Sequence, residues 1–155
     1  MKLIKLYGKY GAGKYAKVSD EDYDFLSTLK WHVSDQGYVK TYYQGKHRPM
    51  HQLVAGKGCD HRNHDKLNNQ RENLRSCTQQ QNNCNVKTRA KSGYKGVTND
   101  GSSYRVQISI NGKMQSVGSF GNPRWAALAF SIAAQDTHGE FACLDFTAAE
   151  IVGMS

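Results

Sequence analysis

No apolar run in this sequence is long enough to cross a membrane, and its first residues, MKLIKLYGKY, lack a secretory apolar core. There are only four cysteines, and no two of them form the C-x-x-C pair of zinc knuckles and dithiol redox sites. They are Cys59, Cys77, Cys84 and Cys143. We therefore expect a cytoplasmic protein with four reduced thiols. Its 155 residues, 38% of them hydrophobic, suffice for one ordinary domain or two small ones.

Acidic residues are scarce in the middle of the chain. Residues 61–120 hold ten Lys or Arg against three Asp or Glu, while residues 121–155 hold one Arg against four acids. A basic centre, in a chain of net charge +8, favours a polyanionic partner. Because no basic amphipathic helix is evident, we expect nucleic acid rather than a membrane. A merely solvated charged surface is the alternative.

The N-terminal part predicts short strands and helices. KLIKLYG reads as a strand before a glycine-rich turn, and GYVKTYYQGKHRPMHQLV reads as two strands and a short helix. Between them, Ser19 is placed to cap a helix with acids in its first turn and an apolar face of Phe25, Leu26 and Leu29.

One motif in this region is misleading. Gly8, Gly13 and Lys14 match the phosphate-loop pattern G-x-x-x-x-G-K. Tyr15 stands where Ser or Thr should bind magnesium, and no helical pattern follows the lysine. We therefore predict a turn between strands.

The C-terminal part predicts a three-stranded antiparallel sheet packed on one helix. YKGVTND, SYRVQISI and KMQSVGSF alternate as strands do, and Asn111-Gly112 indicates a hairpin. Pro123 is placed to open the helix and Gly139 to end it. The sheet should turn inward Val106, Ile108 and Ile110, and the helix should present one apolar face, Trp125, Leu128, Ala129, Ile132 and Ala133.

The stretch CDHRNHDKLNNQRENLRSCTQQQNN combines imidazole, carboxylate and carboxamide groups. Asp60-His61 is followed 12 residues later by Asn73 and 21 residues later by Asn82, in a segment that Thr78 can cap as a helix. A neutral imidazole can deprotonate water, and carboxylate and carboxamide oxygens suit Mg²⁺. Phosphodiester hydrolysis needs both functions. A polar loop stitched together by Asn side chains is the alternative.

With MHQLV before it, this stretch resembles the HNH, or ββα-metal, motif of phage homing endonucleases over residues 50–85. The resemblance implies His61 as general base, Asp60 and Asn82 as ligands of one divalent metal ion, Mg²⁺ or Mn²⁺, and Asn73 as an orienting residue that pins the two strands together.

The chain departs from that pattern at two positions, and three residues keep alternatives. His64 stands where the family usually has Gly, and Arg62 where an apolar residue is common. His64 is a phosphate contact or an exposed turn residue. His51 is a DNA contact or a structural hydrogen-bonding residue. The ligand could also be Asn83 instead of Asn82.

Residues 92–146 resemble the Apetala/ethylene-response-factor DNA-binding domain, anchored by Tyr94-Lys-Gly-Val97, Val117-Gly118 and the Ala-rich helix. That family lays its sheet in the major groove. The resemblance implies DNA contacts at Lys95, Thr98, Gln107, Ser109 and Ser116, and strand parity adds Arg105. The sheet is poorer in Arg and Trp than the family's, so phosphate contacts should supply more of the affinity.

We therefore expect an α+β protein in two parts, with a nuclease unit over 1–85, a basic linker over 86–91 and a DNA-binding domain over 92–155. It should be a homing-type endonuclease that nicks one strand of double-stranded DNA per active site, as a monomer or weak homodimer in a phage-infected bacterial host. No membrane or small-molecule cofactor is expected. The alternatives are a catalytically silent DNA-binding regulator and a dimeric restriction-type nuclease.

Overall fold

The computed structural model describes residues 1–86, 90–146 and 150, and it divides the chain into two compact units, Met1–Asn82 and Asn83–Ser155. Residues 87–89, in the predicted linker, lie outside the described ranges. Within those ranges, no helix combines the length and apolar character that crossing a membrane requires. None of the four cysteines, all of which lie within the described ranges, forms a disulfide bond. Each unit is α+β with small antiparallel sheets, as the sequence predicts.

The first unit is built from three small antiparallel sheets and short helices. The first sheet pairs β1 (Lys2–Lys5) with β2 (Tyr15–Val18), and α1 (Asp20–Ser27) follows. The second sheet joins β3 (His32–Val33), β4 (Val39–Tyr43) and β5 (Lys46–Pro49), and α2 (Met50–Ala55) follows. The third pairs β6 (Cys59–His61) with β7 (Leu74–Ser76), before α3 (Gln79–Cys84).

The core of this unit gathers residues that alternate along the strands. Ile4, Leu6, Ala16 and Val18 point inward from the first sheet and pack with Trp31, which is fully buried. The Trp31 indole donates to the Leu26 carbonyl at 2.8 Å, so the polar group of this large side chain is satisfied in the core.

Two predictions about this unit differ in outcome. The glycine-rich segment forms the turn between β1 and β2, as predicted, and the residues directly after Lys14 form β2 rather than a helix. The apolar face predicted for α1 is wrong in part, because Phe25 is 45% exposed and only Leu26 is fully buried. Phe25 instead meets the edge of Tyr43 at 5.8 Å between ring centroids.

The second unit places one helix against a three-stranded antiparallel sheet. The strands β8 (Val97–Asn99), β9 (Tyr104–Ile110) and β10 (Lys113–Phe120) lie in the order β10-β9-β8, and α4 runs over Pro123–His138. The predicted hairpin turn is confirmed, with Asn111 and Gly112 at φ of 51° and 78°. The Asn122 side chain caps α4, and Gly139, at φ 52°, ends it.

The predicted face of α4 is wrong in part, although Leu128 is buried and Ala133 packs against the core of this unit. Trp125 and Ile132 are 53% and 45% exposed, whereas Ala127, Phe130 and Ala134 are buried. The fit of Phe130 explains this choice, because a Cβ at Gly96 would stand 2.1 Å from its Cδ2 atom. The alanines bring the helix close to the sheet, and Gly96 leaves room for the ring. Val106 and Ile108 are buried as predicted.

Candidate active site and DNA-binding face

The predicted site residues Asp60 and His61 lie on β6 of the β6–β7 pair, and both are buried. Asp60 stands opposite Arg75 and His61 opposite Leu74 in the antiparallel register. Asp60 and His61 are 5% and 6% exposed, so both polar side chains need partners inside the protein.

Arg75 is the partner of Asp60. Its Nε donates to Oδ1 at 2.8 Å and its Nη2 to Oδ2 at 3.4 Å, and both side chains are about 5% exposed or less. A two-point guanidinium contact fixes the plane of the carboxylate and compensates its charge. Sequence reasoning missed Arg75. Its cross-strand position could be found only from the register of the two strands.

Asn69 is the partner of His61. Asn69 Oδ1 lies 3.3 Å from His61 Nε2, and the Asn69 side chain is fully buried. Its Nδ2 donates to the Lys66 carbonyl at 3.2 Å, which fixes the orientation of the carboxamide because a carbonyl oxygen only accepts. The Asn69 oxygen therefore faces the imidazole, and His61 Nε2 carries the hydrogen. In the neutral ring the lone pair is then on Nδ1.

Aromatic rings surround the same imidazole. The His51 and His61 ring centroids are 5.0 Å apart, and Tyr38 lies 5.4 Å from His51 and 6.3 Å from His61. Burial lowers the pKa of His61, although the Asn69 hydrogen bond and the Asp60 and Asp65 charges oppose this. Burial, then the charges of His61 and Lys40, lower the pKa of His51 to about 4. Both imidazoles are therefore neutral at pH 7.

Asn73 holds the connection between the two strands. Its Nδ2 donates to the Asn68 carbonyl at 2.7 Å, and its Oδ1 accepts from the Asn63 N–H at 3.2 Å. Its own carbonyl accepts from the Arg62 N–H at 2.8 Å. These bonds join the two ends of the loop that carries Asn69.

The two interpretations of this polar stretch are compatible. Asn63 and Asn68 accept from main-chain N–H groups two residues ahead, as a loop stitched by Asn side chains would. Asp60, His61 and Asn69 are instead directed into the buried site. His64 adopts φ 62°, a left-handed conformation in which glycine is favoured. This explains the glycine that the resemblance led us to expect there.

Comparison with known proteins gives the family. The chain is 32% identical over 142 residues to a protein of Acanthamoeba polyphaga mimivirus named as an uncharacterized HNH endonuclease, covering 85% of this chain and 75% of that protein. The chain belongs to the HNH endonuclease family. No family model matches it, and no solved structure matches it significantly.

The fourth predicted site residue, Asn82, lies half-buried on α3. This helix begins with a reciprocal cap, in which Thr78 Oγ1 accepts from the Gln81 N–H at 3.2 Å and Gln81 Oε1 accepts from the Thr78 N–H at 2.8 Å. In the described part of the chain, no hydrogen bond joins the Asn82 side chain to Asp60 or His61. Asn83, the alternative ligand, is exposed.

The donor set of this HNH site fits a hard cation. Asp60 offers carboxylate oxygens, which have lone pairs beyond those that Arg75 uses, and Asn82 offers a carboxamide oxygen. Among the described residues no group of three or more His, Cys, Asp or Glu side chains could hold a metal ion. The predicted set contains a single carboxylate, so this finding does not test it.

In the second unit, the face of the sheet away from α4 carries most of the predicted DNA contacts. Thr98 pairs with Arg105 across the strands and Gln107 with Ser116, and Ser109 is exposed further along β9. The structure thus gathers five of the predicted positions on one polar surface.

Two predicted contact residues of the second unit already have partners. Arg105 holds Asp100 through two hydrogen bonds of 2.8 and 2.9 Å, so a phosphate would have to replace that carboxylate. The Lys95 ammonium donates to the carbonyls of Cys84 and Val86, and its burial lowers its pKa. A contact from Lys95 to DNA would require both bonds to break.

Proposed function

We propose that this HNH protein is a metal-dependent DNA endonuclease of the homing type, which nicks one strand of double-stranded DNA per active site. The observation that supports this most is the buried Asp60-His61 pair, in which Arg75 orients the carboxylate and Asn69 orients the imidazole. Burying a charged and polar arrangement of this kind carries a desolvation cost, which favours a chemical role for it.

His61 is proposed as the general base. With the hydrogen on Nε2 held by Asn69, the Nδ1 lone pair takes a proton from the attacking water. Because burial lowers the pKa of His61, the ring is neutral and able to accept this proton at pH 7. Asn73 keeps the loop closed, which preserves the position of Asn69.

Asp60 and Asn82 are proposed to hold one Mg²⁺ or Mn²⁺ ion. When bound, the cation supplies Lewis-acid stabilisation of the charge that develops on the phosphate and the leaving oxygen. Arg75 keeps the carboxylate plane fixed, and its positive charge should lower the affinity of Asp60 for a cation in the absence of DNA. The phosphate of the substrate would supply the negative charge that restores that affinity.

The second unit is proposed to position the nuclease on a long DNA site. Its three-stranded sheet backed by one helix is the arrangement expected of an Apetala/ethylene-response-factor-like domain. Thr98, Arg105, Gln107, Ser109 and Ser116 would face the DNA. A single Asp60-His61 set per chain supports nicking by a monomer, and two copies would be needed for a double-strand break.

The proposal is tested with three alanine variants on a DNA substrate. His61→Ala should lose cleavage by roughly 10²-fold or more while DNA binding persists, in every cation. Asp60→Ala and Asn82→Ala should regain part of their activity at high Mg²⁺ or Mn²⁺, because they weaken a metal site. If the parent protein itself binds DNA but does not cleave it in any cation, the result would instead support the DNA-binding regulator.

A further inference from the structure

The β1–β2 hairpin carries a concentration of positive charge that the proposed chemistry does not use. Residues 1–18 contain five lysines and no acid. Within the described ranges, none of these lysines forms an ion pair with a carboxylate. The acids that follow are engaged elsewhere, because the N-terminal ammonium holds Asp20 at 2.8 Å and Arg71 holds Asp22 at 2.7 Å and Glu21 at 2.9 Å.

Lysine and tyrosine side chains share the outer surface of this hairpin. Ile4, Leu6, Ala16 and Val18 are buried, so the residues between them point outward. Lys5 pairs with Tyr15 across the strands, and Lys17 is the next outward residue of β2. Lys5 and Lys30 lie over the Tyr7 ring, at 5.8 and 5.3 Å from its centroid. We name this the Lys–Tyr face: Lys5, Tyr7, Tyr15, Lys17 and Lys30.

The turn of the hairpin extends the same character. It adds Lys9, whose ammonium lies 5.4 Å from the centroid of Tyr10, and the exposed Lys14. Tyr7, Tyr10 and Tyr15 are 44 to 49% exposed, so each presents ring surface, and an ammonium group lies near the rings of Tyr7 and Tyr10. Ammonium groups bind phosphate oxygens, tyrosine hydroxyls donate to them, and the rings can pack against sugars.

This surface is joined by main-chain bonds to the loop that orients the general base. The Lys17 N–H donates to the Leu67 carbonyl at 2.8 Å, and the Lys17 carbonyl accepts from the Asn69 N–H at 2.8 Å. Asn69 in turn contacts His61 Nε2 at 3.3 Å. The strand that carries Lys17 is therefore linked through Asn69 to the proposed general base His61.

We infer that the Lys–Tyr face binds the sugar–phosphate backbone of duplex DNA and holds the substrate on the nuclease unit, independently of the sheet in the second unit. This rests on the proposed nuclease function only for the identity of the polyanion. The Lys–Tyr face offers ammonium groups and tyrosine rings but few side chains that both donate and accept hydrogen bonds to base edges. It should therefore bind DNA without sequence preference.

The test compares two double variants of the full-length chain that each lose two charges. Lys5→Gln/Lys17→Gln removes the ammonium groups of the face, and Lys46→Gln/Lys57→Gln removes two exposed lysines elsewhere in the same unit. All are made in the His61→Ala chain and measured with EDTA, on a short duplex of arbitrary sequence. Binding is then read without any need for cleavage, and a failure of the proposed nuclease activity would leave this test intact.

In the face variant, the slope of the logarithm of the DNA-binding constant against the logarithm of the salt concentration should be shallower by up to about 1.8. Each lost phosphate contact contributes roughly 0.9 to that slope. The control should leave the slope unchanged, and Lys5→Arg/Lys17→Arg should restore it. An unchanged slope in the face variant, or an equal change in the control, would overturn the inference. Loss of binding to vesicles of anionic lipid, with DNA binding unaffected, would assign the face to a membrane and would also overturn it.

Discussion

The burial of His51 beside His61 makes the first unit sensitive to acid. His51 is 7% exposed, its pKa is lowered to about 4 from the ordinary 6.5, and the first cause is burial of the charged form. Because the pKa of His51 is lower in the folded chain than in the unfolded chain, the unfolded chain binds more protons at any pH between the two values. Stability is therefore fully present above pH 6.5 and is lost as the pH falls towards 4.

The magnitude follows from the difference between the two pKa values. A shift of this size corresponds to about 3 kcal/mol of unfolding free energy lost between pH 7 and pH 4. His51→Leu removes the ionisable group from its buried position beside the Tyr38 and His61 rings, so this part of the acid sensitivity should disappear. Protonation of His61 should also lower the stability as the pH falls, in the parent and in His51→Leu alike, because the pKa of His61 is lowered too.

The assay is urea unfolding at several pH values, followed by tryptophan fluorescence in a Trp125→Phe background. Trp31 is fully buried and then reports on the first unit alone. His47→Leu, at an exposed position, is the matched control and should keep the parent's pH dependence. If His51→Leu loses as much stability between pH 7 and pH 4 as the parent does, the protonation of His51 is not the cause and the reasoning fails.

Three further predictions concern the site and the second unit. Asn69→Leu should lower kcat about tenfold with little change in KM, since it removes one hydrogen bond to His61, and ¹⁵N NMR should show a weaker preference for the Nε2–H tautomer. Asn69→Asp, which keeps an acceptor, should restore that preference, and equal tautomer populations in the parent would refute the assignment. Arg75→Leu should cost about 3–5 kcal/mol of unfolding free energy by leaving Asp60 buried without its cation, and a loss below about 1 kcal/mol would contradict this. A fragment of residues 92–155 should fold alone, by circular dichroism, and bind DNA with strong salt dependence; an unfolded fragment would refute its independence.

Local patterns in the sequence predicted much of the fold. Asn111-Gly112 specifies a turn that needs two residues at positive φ, and Thr78 specifies a helix start, because these signals act over a few residues. The packed face of α4 was predicted wrongly in part, at Trp125 and Ile132, because the helix is apolar on more than one side. The fit of Phe130 over Gly96 decides between the sides, and that fit joins distant parts of the chain.

The site was predictable in its outline and not in its supporting contacts. Asp60 and His61 were predicted from their chemistry and spacing, and in the structure both side chains are buried. Arg75 and Asn69 were missed because one acts across a strand pair and the other across a loop. No local pattern in the sequence distinguishes Arg75 or Asn69 from an Arg or Asn at the surface.

The most direct test of the central claim is the cleavage of supercoiled plasmid DNA by the parent protein and by His61→Ala, with and without Mg²⁺. If one Asp60-His61 site cuts one strand per engagement, nicked circles should accumulate before linear DNA at limiting protein. Linear product should then rise with the second power of protein concentration. His61→Ala and the samples without a divalent cation should leave the plasmid supercoiled. Equal cutting by His61→Ala, or linear DNA appearing first from a demonstrated monomer, would contradict the account.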